Sequence, residues 1–374
     1  MFHANDVLSK LGPGFAARAE RHDAEDCFVA DNFAELRAEK VFSAMVPEAL
    51  GGSGLPYPEM CNFVRGLAHY CASTAMALSM HQHLVGSATW NYLHGNPGEK
   101  LLRKVADGEL LLISTGAGDW LNSSGNLTAV EGGYRFTASK GFASACPAGD
   151  LLVTSGRFHD PVEGWQVFHF PLSLRAEGVS ISNDWKTLGM RATGSNTVVL
   201  DNVFVPTESV SLRRPMGKFH PAWNTILAVA YPLVGAAFAG IAQASVKLVR
   251  NTVAHRTDDI TTILVGEMEN DCTSAQLAFE SMVAMVNNFD FKPSLENTSA
   301  VLTRKTLLAQ SAINTTSKAM EAAGGASYFR NLCLDRLFRD SLASQFHTLS
   351  PKRQQRFSGR VALGLDVDEA ALAT

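Results

Sequence analysis

Apolar residues recur at three- and four-residue spacing from Asn5 to about Gly108, in VLSKLGPGFAARAERH, FAELRAEKVFSAM and EMCNFVRGLAHYCASTAMALSMHQHL. That is the period of helices with one buried face. The loop PEALGGSGLP breaks the pattern, Gly51 to Gly54 ending one helix and Pro56 and Pro58 leading into the next. Between about Glu109 and Val210 the texture changes to short alternating or β-rich runs: ELLLIST, LTAVEGG, YRFTASKGF, DLLVTSGRF, GWQVFHFPL, GVSIS and NTVVLDNVFVP. Turns such as Glu131-Gly132-Gly133 predict antiparallel pairing rather than βαβ units, so no dinucleotide fold is expected. After Pro206 helical spacing returns over roughly 221–256, 262–288, 297–323 and 332–344, and Ser350-Pro351 offers an N-cap and a first-turn proline for a last short helix. The pattern therefore predicts an N-terminal α-helical domain (1–108), a middle antiparallel β domain (109–210) and a C-terminal four-helix bundle (211–374).

Composition narrows the classes of function. The 374 residues exceed one simple core, and 46% hydrophobic with 18% charged residues describes an ordinary globular protein that needs no staples. A net charge of -4 without a basic run argues against a nucleic-acid partner. Six cysteines lie far apart with no C-x-x-C pair, which fits reduced thiols in the cytoplasm. The N-terminus has neither the apolar core of a signal peptide nor the character of a transit peptide, so no export is expected. Residues 219–246 carry no Asp, Glu, Lys or Arg and imitate a membrane span, but their Ala, Gly and Pro232 predict a helix buried in the bundle, with no membrane partner.

The chemistry concentrates in three stretches: ISTGAGDW (113–120), YRFTASKGFASACPAGDLLV (134–153) and DWKTLGMRATGSNTVVLDNVFVP (184–206). Gly116-Ala117-Gly118 frees backbone N–H groups to approach an anionic or carbonyl-rich ligand, and Ser114 and Thr115 add hydroxyls. One such turn alone is more often structural. In order, however, the three stretches resemble the acyl-CoA dehydrogenase superfamily, whose β domain carries a T-E-P-G-A-G-S-D-like turn, an N-G-x-K-x-W-I-T-N-like strand and a K-x-G-x-R-x-S/T-x-T stretch ending in F-x-x-V-x-V-P. EAAGGASYF and LDRLFRD, within 321–340, extend the resemblance through most of the chain. It implies the same helical, β, helical layout, an acyl-CoA dehydrogenase-like fold.

The resemblance also implies a flavin, FMN or FAD, held between the β domain and the bundle. By position, Ser114, Thr115, Gly116 and Gly118 line the pyrimidine side of the ring system, Phe142 and Ser144 lie against it, and Arg256, Gly324 and Gly325 match the family's other cofactor-binding positions. A flavin needs neutral hydrogen-bonding groups, which hydroxyls and backbone amides supply. For Ser144 the plain alternative is a hydroxyl satisfied within its own strand.

Two departures matter. The family's catalytic glutamate falls on Thr348 and its alternative base on Asn224, and neither can take a proton at neutral pH. Where FAD-binding members have R-x-x-F-G, this chain has HRTDDITT, whose acidic residues suit a diphosphate poorly. Both point to the superfamily's flavin-dependent monooxygenase branch, of the dibenzothiophene monooxygenase and 4-hydroxyphenylacetate hydroxylase type. That branch takes reduced flavin from a separate reductase, uses oxygen on a small organic substrate, and places His and Ser near the reacting flavin. His347, Ser144 and either His81 or His83 match by position, and the expected catalytic residues are His347, Ser144 and His83. Without the motif a lone His347 reads as a helix-end partner, and His81 and His83, two apart on a helix, point to different faces and predict no metal. Arg339-Asp340 is expected to brace the bundle, and Trp185, Phe142 and Met190 to line a flat ligand or fill core. The alternatives are an FAD-dependent acyl-CoA dehydrogenase with its base elsewhere, and a flavin-free homologue acting in binding or assembly. Family analogy implies a homotetramer; no motif names the substrate.

Overall fold

The computed structural model describes residues 2–115 and 121–368. The N-terminal domain is helical: α1 (Ala4–Ala24), α2 (Ala30–Ala38), α3 (Tyr57–Ala68), α4 (Ala72–Leu93) and α5 (Glu99–Gly108). α3 buries Tyr57, Met60, Cys61, Phe63, Val64 and Leu67, the stripe that its spacing predicts. α4 is buried on nearly every side, His81 and His83 included, so this domain is built around it.

The middle domain is one sheet of β1 (Leu112–Ser114), β2 (Asn126–Val130), β3 (Gly133–Lys140), β4 (Leu151–Asp160), β5 (Gly164–Ser173), β6 (Val179–Ile181), β7 (Val198–Pro206) and β8 (Leu212–Pro215). The strand order is β6-β7-β3-β2-β4-β5-β8, with β1 pairing β4. β3 alternates buried Tyr134, Phe136, Ala138 and Lys140 with exposed Arg135, Thr137 and Ser139, as a strand with one covered face must. The expected antiparallel pairing holds for β2–β3, β3–β7, β4–β5, β5–β8 and β6–β7. It fails where β1 runs parallel to β4 and where β2 meets β4 at Asn126 and Arg157. A whole hairpin lies between β1 and β4, which lets them run the same way. β8 carries the sheet past the boundary expected at 210, because it pairs with β5.

The C-terminal region has three long helices, α6 (Ala222–Val253), α7 (Asp259–Val286) and α8 (Leu295–Ala323), followed by the short α9 (Leu334–Ser341) and α10 (Pro351–Ala362). Asp258 and Ser294 cap α7 and α8 through side-chain bonds to Thr261 and Asn297. Ser350 occupies the N-cap of α10 with Pro351 in the first turn, but its side chain makes no capping bond. The fourth expected segment, 332–344, forms α9 continued by a 3-10 turn over Leu342–Gln345, and Cys333 at positive φ (60°) marks its start. The charge-free stretch forms α6, whose most apolar window is 89% buried inside the protein.

Candidate active site

α4 brings two histidines to the edge of the sheet, and they do different things. His81 is wholly engaged by backbone: Nε2 lies 2.9 Å from the Phe42 carbonyl, and Nδ1 accepts the Leu112 N–H at 2.9 Å. That fixes its tautomer and pins β1 to α4. His83 instead turns its Nε2 to the hydroxyl of Ser114, 3.3 Å away at the end of β1. Burial pushes the pKa of each down to about 4, so both rings are neutral near pH 7. Of the two candidates, His83 is the one that meets a sequence-predicted site hydroxyl.

His347 lies in the segment between α9 and α10, half-buried, its ring edge-on to Phe238 of α6 at 5.7 Å. Its pKa is also pushed down to about 4, by burial, then by the Lys305 charge, then by His83. His83 adds the smallest of these effects on His347, while the direct contact at this end of the site is that of His83 with Ser114. Lys305, on α8 and only 5% exposed, donates at 2.8 Å to the carbonyls of both His347 and Leu349. Asn224, the alternative base position, is occupied: its Oδ1 accepts the Thr298 hydroxyl at 2.6 Å. Thr115, beside Ser114, donates its hydroxyl to Thr154 at 2.7 Å.

On the β domain, Phe142 sits just before Ser144 with φ of 57° and 63% exposed, an aromatic ring held out to solvent. Trp185 meets it edge to face at 5.7 Å, so the pair belongs to an exposed apolar edge and not to the core. Met190, by contrast, is buried. Ser144 Oγ is 2.7 Å from Ser195 Oγ, which is 2.7 Å from Thr193 Oγ, and Thr193 donates to the Met190 carbonyl at 3.0 Å. The Met190 N–H donates to Asp340 at 2.5 Å, which ties this loop to α9. Arg339 donates to Asp23 of α1, to the Leu188 carbonyl and to Asp335. The Arg339-Asp340 pair therefore braces all three domains around the site.

Arg256, Gly324 and Gly325 form a separate cluster. The Arg256 guanidinium donates to the carbonyls of Ala322 and Ala323 at 3.2 and 3.4 Å, capping the end of α8, and both glycines are exposed beside it. Roughly 25 Å of α8 separates Lys305 from Ala322 at the rise of an α-helix, so this cluster does not share the histidine site within one chain. Gly116 and Gly118 lie outside the described residues. The residues that motif reading missed are Lys305, Thr193 and Ser195. Lys305 had a signal, since it interrupts the buried stripe Val301, Leu302, Leu308, Ala309 and Ala312 of α8.

Residues 14–109 match the acyl-CoA dehydrogenase N-terminal domain and residues 227–351 the acyl-CoA dehydrogenase C-terminal domain. The chain belongs to the acyl-CoA dehydrogenase family. It is 28% identical over 263 residues to an amino sugar nitrososynthase of Streptomyces rubradiris, covering 67% of this chain and 61% of that protein, less than two thirds of its length. A second amino sugar nitrososynthase, from Streptomyces peucetius, is 25% identical over 96% of this chain and 92% of its own. The oxygenase subunit of a flavin-dependent monooxygenase of Rhodococcus jostii is 24% identical over 97% and 98%. Among solved structures, a nitrososynthase from Micromonospora carbonacea var. africana superposes with a TM-score of 0.87 at 24% identity over 97% of this chain and 96% of that one. FMN-bound TdsC, the dibenzothiophene monooxygenase of Paenibacillus sp. A11-2, gives 0.85 at 16% identity over 99% of each. At such identities these structures establish the fold, and the relatives are the flavin-dependent oxygenases and nitrososynthases of the family.

Proposed function

We propose that this chain is the oxygenase component of a two-component flavin system, taking reduced flavin from a separate reductase and using oxygen to oxygenate a small organic substrate. The observation that carries the reading is the contact of a neutral His83 with Ser114, alongside a neutral His347 in the segment after α9, while the family's base positions hold Thr348 and Asn224. A proton cannot be drawn from a thioester by those two residues at neutral pH, which disfavours the dehydrogenase alternative.

The groups present fit a flavin. Hydroxyls of Ser114, Thr115 and Ser144 are neutral, and the Phe142–Trp185 edge offers an apolar wall for a flat ring. When bound, reduced flavin supplies two electrons and lets oxygen give one atom to the substrate and the other to water. In this reading Ser144 orients the ring, and His83 and His347 exchange a proton with the reacting oxygen or substrate without introducing a buried charge. FMN is supported over FAD by a relative solved with FMN and by Arg256 being spent on α8 instead of a diphosphate. Exposed Tyr328 (89%) and Phe329 (67%), beside Gly324 and Gly325, support a homotetramer in which that cluster reaches a neighbour's cofactor. Six free cysteines support a cytoplasmic setting.

The test is anaerobic titration of the purified protein with reduced FMN, followed by oxygen. Expected are saturable binding and oxidation of the bound flavin at a rate unlike that of free flavin. No binding of FMN or FAD in either redox state ends the enzyme reading, and bleaching of bound oxidised flavin by an acyl-CoA thioester would favour the dehydrogenase.

A further inference from the structure

We propose that a cavity between α1, α3, α6 and α9 is a second binding site, one that takes a small organic phosphate. It stands independently of the flavin reading. The cavity encloses about 410 Å³, the size of a small-molecule pocket and more than a bare ion needs. No residue of the β domain lines it, so it is not where a flavin ring would lie. Lys247, its cation on α6, stands roughly 13 Å along that helix from Phe238, the residue that touches His347. Small residues make the space. α3 meets α1 where a Cβ on Gly66 would come within 2.4 Å of Leu8, and meets α6 where one on Gly240 would come within 2.3 Å of the Arg65 carbonyl. Beside these contacts Ala68, Ala72 and Ala244 line the cavity with side chains too short to fill it, and Leu248 and Leu337 add apolar wall.

The charge of the lining defines the ligand. Lys247 and Arg336 line the cavity together with the neutral hydrogen-bonding groups of Tyr70 and Asn251 and the ring of His69, and no Asp or Glu does. Among the described residues neither cation makes an ion pair or a hydrogen bond, whereas their neighbours do: Arg250 on α6 pairs with Glu269, and Arg339 on α9 pairs with Asp23 and Asp335. The carboxylates beside Arg336 are both engaged elsewhere, Asp335 by Arg339 and Asp340 by the Met190 N–H. A recess lined by one sign of charge concentrates the opposite ion. Guanidinium and ammonium groups bind phosphate oxygens by charge-assisted hydrogen bonds. Two cations balance a dianionic phosphate monoester, while a monocarboxylate would leave one of them in excess. Lys247, His69 and Asn251 are exposed, so the charged end of the cavity is open to an incoming ligand, and the Leu248 and Leu337 wall suits an apolar body on the phosphate.

The experiment is calorimetric titration of the full chain with phenyl phosphate as the probe, beside benzoate and inorganic phosphate, in wild type, Lys247→Gln, Arg336→Gln and Arg103→Gln, with thermal melts to confirm folding. Phenyl phosphate is expected to bind saturably at one site per chain, and benzoate and inorganic phosphate each about tenfold more weakly. Lys247→Gln and Arg336→Gln should each weaken phenyl phosphate about tenfold, the worth of one charge-assisted hydrogen bond. Arg103→Gln, which removes an exposed cation of α5 far from the lining, should bind as wild type does. Prior saturation with FMN should leave the titration unchanged. The proposal is overturned if folded wild type shows no saturable binding, if FMN competes with the probe, or if Lys247→Gln and Arg336→Gln bind no more weakly than Arg103→Gln. Equal affinity for benzoate overturns the phosphate assignment, and equal affinity for inorganic phosphate the organic one. Should Arg336→Gln unfold, exposed Lys247→Gln decides alone.

Discussion

The Lys305 ammonium lies 2.8 Å from the carbonyl oxygen of His347 and the same distance from that of Leu349. The 3-10 turn after α9 ends at Gln345, before His347, so two charge-assisted hydrogen bonds set where the imidazole stands. Lys305→Met should leave the fold intact, because an apolar chain of similar length replaces a buried charge whose pKa burial alone holds down to about 8. Product formed per reduced flavin consumed should nevertheless fall about tenfold as His347 loses its tether. Thermal melts run beside product quantitation check both halves, and full coupling in a folded Lys305→Met protein would show that the tether is not needed.

His83 and His347 make stability sensitive to acid. Both have folded-state pKa values near 4, lowered from 6.5 chiefly by burial. Between pH 6.5 and 4 the unfolded chain binds protons that the folded chain refuses, so stability falls as pH falls through that window. Urea unfolding at pH 7 and pH 5 should show the drop, and His83→Asn and His347→Asn should each make it shallower. A slope unchanged in both variants assigns the acid sensitivity to other groups.

Asp340 works in the opposite sense. Burial, ahead of the opposing bond from Met190, pushes its pKa up to about 6, so the folded chain holds this proton more tightly than the unfolded one. Stability from this group declines as pH rises from about 4 to 6 and stays lower above that. Asp340→Asn keeps an oxygen for the Met190 N–H without the charge, and at pH 8 it should be at least as stable as wild type. Asp340→Ala strands that N–H and should cost about 1 to 3 kcal/mol. Urea midpoints of the two variants at pH 8 separate these outcomes.

The helical, β, helical plan was legible because a period near 3.6 and a period of 2 leave different marks, as in Tyr57 to Leu67 and Tyr134 to Lys140. The parallel entry of β1 beside β4 was not, since strand direction depends on what the intervening chain does in space. Nor was the change to 3-10 geometry at Leu342–Gln345, after α9. His347, Ser144 and His83 were reachable through motif position. His81 and His83 could not be told apart, because α4 is buried on both of the faces they occupy. The contacts that join Thr193, Ser195 and Ser144 escape any linear reading: Ser144 and Ser195 lie far apart along the chain and meet only where the loop after β3 folds onto the loop before β7.

At Gly189 the loop before β7 packs directly against the backbone of α9. A Cβ there would collide with the Arg339 carbonyl and the Asp340 nitrogen, backbone atoms that cannot swing aside as a side chain end can. Its neighbour Met190 sits at φ 54° with its N–H on Asp340, so any displacement of residue 189 also pulls on the carbonyl that anchors Thr193. Gly189→Ala should therefore lose about 1 to 3 kcal/mol by overpacking. It should also loosen the contact between the β domain and α9, speeding amide exchange in residues 186–195 and 334–341 while leaving α7 as protected as in wild type. Equal exchange rates in those two segments would mean that the loop and α9 are not coupled through this contact.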